Sequence, residues 1–230
     1  MNSADSFPDP STWILYVDAD LVVVNKPSGL LSIPDGYHPE LAHLSQALAP
    51  IVGKLWIVHR LDRETSGVVL LARNAQAHRK LNETFRQRSL QKNYRCFAAP
   101  IPSWDSQDLH FPLRINADRA HRTRVDFDKG KPAQTFVRVL QRGASYCLME
   151  CAPRSGYTHQ IRAHLYHAGI GILGDPLYRP KGFDVADSSL KALRTMLHAY
   201  QIVFSHPTTN SELIFTATYP PDFEQKITEL

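Results

Sequence analysis

The strongest constraint on the fold is a series of short apolar runs rich in β-branched residues, each closed by Gly, Pro, Asn or Asp. WILYV and LVVVN are separated only by DAD, and KLWI and VVLLA flank a polar stretch, residues 58–67. KNYRCFAA, TRVDF, QTFVRVL and SYCLMECA follow, and HAYQIVFSHP with ELIFTATYP forms a closing pair. Runs of this length between turn residues read as strands, and their pairing reads as hairpins. Helical spacing occurs in HPELAHLSQALAPI, NAQAHRKLNETFRQR and THQIRAHLYHA. Strands outnumber helices, so the expected class is α+β, with a central mixed, mostly antiparallel sheet. Residues 100–108 are the expected hinge between two lobes of one domain spanning 1–230.

Of the 230 residues, 43% are hydrophobic and 21% charged, the balance of a globular chain. No apolar run approaches the ~18 residues of a membrane span. The opening MNSADSFPDPST is acidic and polar, unlike a secretory signal. A cytoplasmic protein away from membranes is the expectation. Cys147 and Cys151 lie about 13 Å apart along one extended strand, too far to bridge, and Cys96 stands alone in sequence. All three read as small packing residues in a reducing compartment.

The net charge of +4 decides little, but its placement is informative. Between residues 73 and 95 there are seven Lys or Arg against one acid, Glu83. On a helix capped by Asn74, Ala77, Leu81 and Phe85 share one face while Arg79 and Arg86 point the other way. Such a face either meets a polyanion or is simply solvated. A second basic region, from Arg114 to Lys131, is diluted by Asp118, Asp126 and Asp128.

Three segments hold residues able to do chemistry. In HRLDRETSG, an extended backbone puts Arg60 and Asp62 on one side, so a permanent cation stands near the carboxylate. Asp62 is then a candidate nucleophile or base, or one half of a turn salt bridge. In RSGYTHQIRAHLYHAG, helical spacing groups His159, Arg162 and Tyr166, with Ile161, Leu165 and Ala168 opposite as the core face. His159 and His164 are about 140° apart around that helix, so they cannot share a metal ion. Tyr94, in line with Cys96 and Ala98 on a strand, is either core or a ring offered to a ligand.

Taken together and in order, NKPSGLLSIP, HRLDRETSG, KNYRCFAA, GKPAQT, SGYTHQIRAH and ILGDPLY resemble the RluA family of pseudouridine synthases, over nearly the whole chain. The resemblance implies an isomerase that needs no metal or organic cofactor and detaches, turns and rejoins uracil in RNA. It implies the pseudouridine synthase fold, a sheet split into two lobes around an active-site cleft, without an appended small RNA-binding domain. By resemblance Asp62 is the catalytic aspartate, Tyr94 the tyrosine that packs on the target base, and Arg162 the partner of Asp62. Arg60 matches a position that fills the space of a flipped nucleotide. His59, Thr65 and His159 adjoin these residues, and Arg79 and Arg86 lie on the basic helix, all as expected RNA contacts. The implied partner is structured RNA, transfer RNA or 23S ribosomal RNA or both, bound by a monomer. A non-catalytic RNA-binding module would keep the basic helix without needing Asp62, Tyr94 and Arg162 together. Two positions depart from the family pattern: Tyr157 stands where a basic residue is usual, and Ile170–Gly171 replaces His-Pro.

Overall fold

The computed structural model describes residues 7–180 and 190–230. In chain order the strands and helices of the first part are β1 (Ile14–Val17), β2 (Leu21–Lys26), α1 (Leu44–Val52), β3 (Trp56–Ile57), β4 (Ser66–Ala72) and α2 (Ala75–Gln87). Then come β5 (Gln91–Ala99), β6 (Ser106–Leu109), β7 (Leu113–Arg114), β8 (Arg124–Val125), β9 (Thr135–Arg142) and β10 (Cys147–Pro153). The last are α3 (Gln160–His167), β11 (Gly171–Ile172), β12 (Leu197–Ser205), β13 (Glu212–Thr216) and α4 (Pro221–Thr228). The class is α+β with mostly antiparallel strands, as expected. The described residues form two compact units: 7–90 with 199–218, and 91–180 with 190–198 and 219–230. The chain changes unit at the start of β5, within β12 and after residue 218. The expected hinge at 100–108 therefore lies inside the second unit.

In the first unit the strand order is β1-β2-β4-β12, with β3 beside β4 and β13 beside β12. The β1–β2, β2–β4, β3–β4 and β12–β13 pairs are antiparallel. Every residue of β4 is buried, and β2 is nearly so. Leu21, Val23, Val68 and Leu70 pack with Ala77 and Leu81 of α2 and with Ile202 and Phe204 of β12. The alternate residues Val22, Val24, Val69 and Leu71 are also buried. Both faces of these strands are covered, which is why they read as continuous apolar runs.

Helix α2 forms as its sequence directs. Asn74 Oδ1 accepts from the Ala77 N–H at 2.8 Å, and Arg88 ends the helix in the left-handed region. Ala77 and Leu81 are buried, while Arg79 and Arg86 are exposed. Helix α1 is shorter than its periodicity suggests. It begins at Leu44, with His43 as its N-cap accepting from the Gln46 N–H, while Asp35 accepts from the Tyr37 and His38 N–H groups in a turn upstream.

The second unit is built on β5-β10-β9-β6, with β11 added to β5, and these pairs too are antiparallel. Phe97, Val137, Met149, Leu165, Leu173 and Phe223 lie at its core. Cys96 is alone only in sequence: its Sγ lies 3.9 Å from that of Cys151 on the adjacent strand. All three cysteines are buried free thiols. The sulfur contact with Cys151 and burial push the Cys96 thiol up, and burial pushes Cys147 up to about 12.

Gly67 shows how tightly β4 is packed. Its φ is +112°, and a Cβ there would stand 2.2 Å from the Ala199 carbonyl oxygen of β12. Gly67→Ala combines backbone strain with overpacking, so it is expected to lower the unfolding free energy by roughly 2–4 kcal/mol. Urea denaturation measures this, and an unchanged midpoint would contradict the packing described.

Candidate active site

Asp62 lies in the first unit, on the irregular segment between β3 and β4. Arg60 is exposed, Leu61 buried and Asp62 half-buried. Six hydrogen bonds, five to its backbone and one from the Arg63 side chain, join the segment around Asp62 to residues 26–32. Ser32 Oγ donates to the Leu61 carbonyl at 2.8 Å and accepts from the Leu61 N–H at 3.0 Å. Ser28 Oγ donates to the Glu64 carbonyl at 2.7 Å. The Gly29 N–H donates to the Arg63 carbonyl, and Arg63 Nε returns a bond to the Gly29 carbonyl, both at 2.9 Å. Lys26 Nζ also donates to the Arg63 carbonyl, at 3.1 Å.

Lys26 has no exposed surface, and its ammonium bonds the Pro27 and Leu30 carbonyls at 2.8 and 2.7 Å as well. A buried cation persists only where oxygens replace its hydration. Those oxygens come from the two segments that must be held together. Residues 26–32 are thus a cradle for the Asp62 segment as well as a pair of turns.

Behind Asp62, Thr65 is buried, and its N–H closes a turn onto the Asp62 carbonyl at 3.1 Å. His59 serves the scaffold: its Nε2 accepts from the Leu70 N–H at 2.9 Å, and its ring stacks on Phe85 of α2 at 4.8 Å. Arg86 pairs with Glu83 on the exposed side of α2.

Tyr94 and Arg162 belong to the second unit. Tyr94 is half-buried on β5, opposite Cys151 of β10, and packs against the core. In helix α3 Gln160 to Leu165 are all buried, so burial extends beyond the expected core face of Ile161 and Leu165 to include Arg162. Its polar side chains are matched by buried partners. Gln160 Nε2 donates to the Gln134 carbonyl and to Thr135 Oγ1, and Gln160 Oε1 accepts from Ser155 Oγ. His164 Nε2 lies 2.9 Å from the Phe111 carbonyl and Nδ1 2.9 Å from Thr135 Oγ1. Burial lowers the pKa of His164, so the ring is neutral, with Nε2–H donating and Nδ1 accepting from the threonine hydroxyl.

Arg162 makes a side-on, two-pronged bond to Asp175: Nε to Oδ2 at 2.7 Å and Nη2 to Oδ1 at 2.8 Å. The side chains are 7% and 0% exposed. Sequence reasoning misses Asp175, although an acid inside the apolar ILGDPLY is a signal that could find it. His159 occupies the α3 N-cap with φ +56°, and its Nδ1 lies 3.2 Å from the Tyr178 hydroxyl. Tyr157 packs on the apolar cluster of Leu113, Ala133, Ala163 and Tyr178, and Ile170 and Gly171 are buried. Both departures from the family pattern therefore sit in packed positions.

A family model described as RNA pseudouridylate synthase matches residues 20–167. The chain belongs to the RluA family of RNA pseudouridine synthases, isomerases that convert uridine in RNA into pseudouridine. It is 36% identical over 221 residues to the dual-specificity RNA pseudouridine synthase RluA of Pasteurella multocida (strain Pm70), covering 94% of this chain and 95% of that one. It is 34% identical to the protein of the same description from Escherichia coli (strain K12), covering 94% and 97%. Among solved structures, human RNA pseudouridylate synthase domain containing 4 superposes with a TM-score of 0.78 at 26% identity, covering 95% and 93%.

The pair on α3 has a consequence for mutagenesis. Arg162→Met leaves a fully buried carboxylate without its guanidinium, so stability is expected to fall by about 3–5 kcal/mol. Arg162→Met/Asp175→Asn removes that orphaned charge and is expected to recover about half of the loss. Chemical denaturation of both variants is the check. A single variant as stable as the parent would contradict the buried pair.

Proposed function

We propose that this isomerase acts on specific uridines in structured RNA, in transfer RNA, 23S ribosomal RNA or both, with Asp62 starting the reaction. The observation that carries the reading is the setting of Asp62: a half-buried acid on a segment held by six hydrogen bonds, five of them to its backbone. A reactive group is useful when its position is settled before substrate arrives. The relatives' names point to RNA of this kind: one is dual-specific, and a Vibrio cholerae relative, 34% identical, is a ribosomal large subunit pseudouridine synthase.

The reaction breaks the C1′–N1 bond and forms C1′–C5, with a proton lost from C5 and one gained at N1. Asp62 starts the cleavage, as nucleophile on the sugar or base or as the base of an elimination. Arg162 keeps the carboxylate charged as solvent is displaced. Tyr94 packs on the uracil ring and assists removal of the C5 proton. A uridine in a stem-loop is stacked, and extruding it costs a few kcal/mol. Arg60 offsets part of that cost by stacking in the gap, and His59, Thr65 and His159 support the residues that meet the nucleotide. Arg79 and Arg86 neutralise backbone phosphates. The active form is a cytoplasmic monomer.

Asp62→Ala is expected to abolish release of label from RNA carrying tritium at uridine C5. Its RNA affinity should stay within about tenfold of the parent, roughly 1.4 kcal/mol. Appreciable turnover by that variant would overturn the assignment. Arg79→Gln/Arg86→Gln is expected to weaken binding to all RNA substrates alike. The slope of log affinity against log salt should become shallower by about 1 for each phosphate no longer neutralised. A filter-binding salt titration with an unchanged slope would place that face away from RNA.

A further inference from the structure

Arg162 is held on its edge and on its face by one short loop, residues 174–178. Asp175 takes the Nε/Nη2 edge of the guanidinium, so the Nη1 end is turned away from it. The Tyr178 ring lies on the guanidinium, 5.0 Å from its central carbon. Both supports are themselves fastened. Asp175 Oδ1 accepts from the Leu177 and Tyr178 N–H groups at 2.8 and 3.2 Å. The Tyr178 hydroxyl accepts from the Thr123 N–H at 2.8 Å and donates to the Thr123 carbonyl at 3.0 Å. Gly174 gives the loop its shape, with φ +72° and a Cβ position only 1.9 Å from the Arg194 carbonyl oxygen.

A buried ion pair adds little net stability, because desolvating both charges offsets most of their attraction. What a two-pronged bond supplies reliably is orientation. We propose that Asp175 and Tyr178 are positioning residues for the isomerisation, fixing the guanidinium plane in which Arg162 serves Asp62. This inference rests on the role given to Arg162 above. It assigns the ILGDPLY loop a function in rate and predicts that its effect passes entirely through Arg162.

The same unit contains a control. Arg194 grips Asp222 with the same side-on fork, Nε at 2.6 Å and Nη2 at 2.9 Å, and its side chain is 8% exposed. That pair ties α4 to the unit and has no part in the proposed chemistry. The experiment compares Asp175→Asn, Asp222→Asn and Arg162→Lys with the double variant Arg162→Lys/Asp175→Asn, using transfer RNA and 23S ribosomal RNA transcripts tritiated at uridine C5. Turnover at saturating RNA, RNA affinity and thermal midpoint are read for each.

Asp175→Asn should lower kcat by about 30-fold with RNA affinity within about threefold, as expected for a misplaced rather than a missing group. Asp222→Asn should lower the thermal midpoint but leave kcat within about twofold. In the Arg162→Lys background, Asp175→Asn should cost less than about threefold, because a point charge has no plane to orient. If Asp175→Asn yields no folded protein, Asp175→Glu takes its place, since the longer arm keeps the charge but displaces the fork. Equal kcat for the Asp175 and Asp222 variants would overturn the inference, as would an undiminished Asp175 effect in the Arg162→Lys background. Full activity of Arg162→Lys would instead remove the role of Arg162 itself.

Discussion

A lysine ammonium sealed from solvent sets the geometry around Asp62. Lys26 ends β2, and its charge is stabilised by carbonyls of the turn that follows it and of the segment carrying Asp62. These oxygens cannot separate without leaving the ammonium unsolvated, so the two segments hold one position. Ser28, Gly29 and Ser32 extend the attachment along the chain on either side of Asp62. The polar stretch between two buried strands is therefore fixed in place although it has no regular secondary structure.

The second unit solves a similar problem by different means. Helix α3 is buried on nearly every side, yet it carries Gln160, Arg162 and His164. Each finds a partner outside the helix: Gln134 and Thr135, Asp175, and Phe111 with Thr135. A polar network of this kind specifies one orientation of the helix where apolar packing alone would tolerate rotation. In both units, buried polar groups hold the segments that carry the proposed reactive residues.

Much of the architecture is legible in the sequence. The central strands and α2 follow local rules of periodicity, turn chemistry and capping, whereas the register of β2 on β4, with Leu21 opposite Ala72, is set between segments distant in sequence. The spacing of α3 places the helix correctly but not its surroundings, because Arg162 at helical spacing looks the same whether solvated or buried against Asp175. Only the fold brings residue 175 beneath it. Cys96 and Cys151 come together for the same reason, as do Lys26 and Arg63. Asp62 stands out as part of a dense cluster of charge between apolar strands, whereas the cradle beneath it looks like no more than turns. One of the three crossings between units is invisible in the sequence because it falls within a continuous strand, β12, where nothing in composition marks it.

In the proposed mechanism Asp62, Arg162 and Tyr94 serve one uridine. The most direct measurement is a crystal structure of the protein bound to an RNA stem-loop that it modifies. The mechanism predicts an Asp62 carboxylate oxygen within about 3.2 Å of an Arg162 guanidinium nitrogen, with a uracil ring against Tyr94. Asp62 and Arg162 separated by more than about 6 Å around the bound uridine, too far for a hydrogen bond, would contradict it.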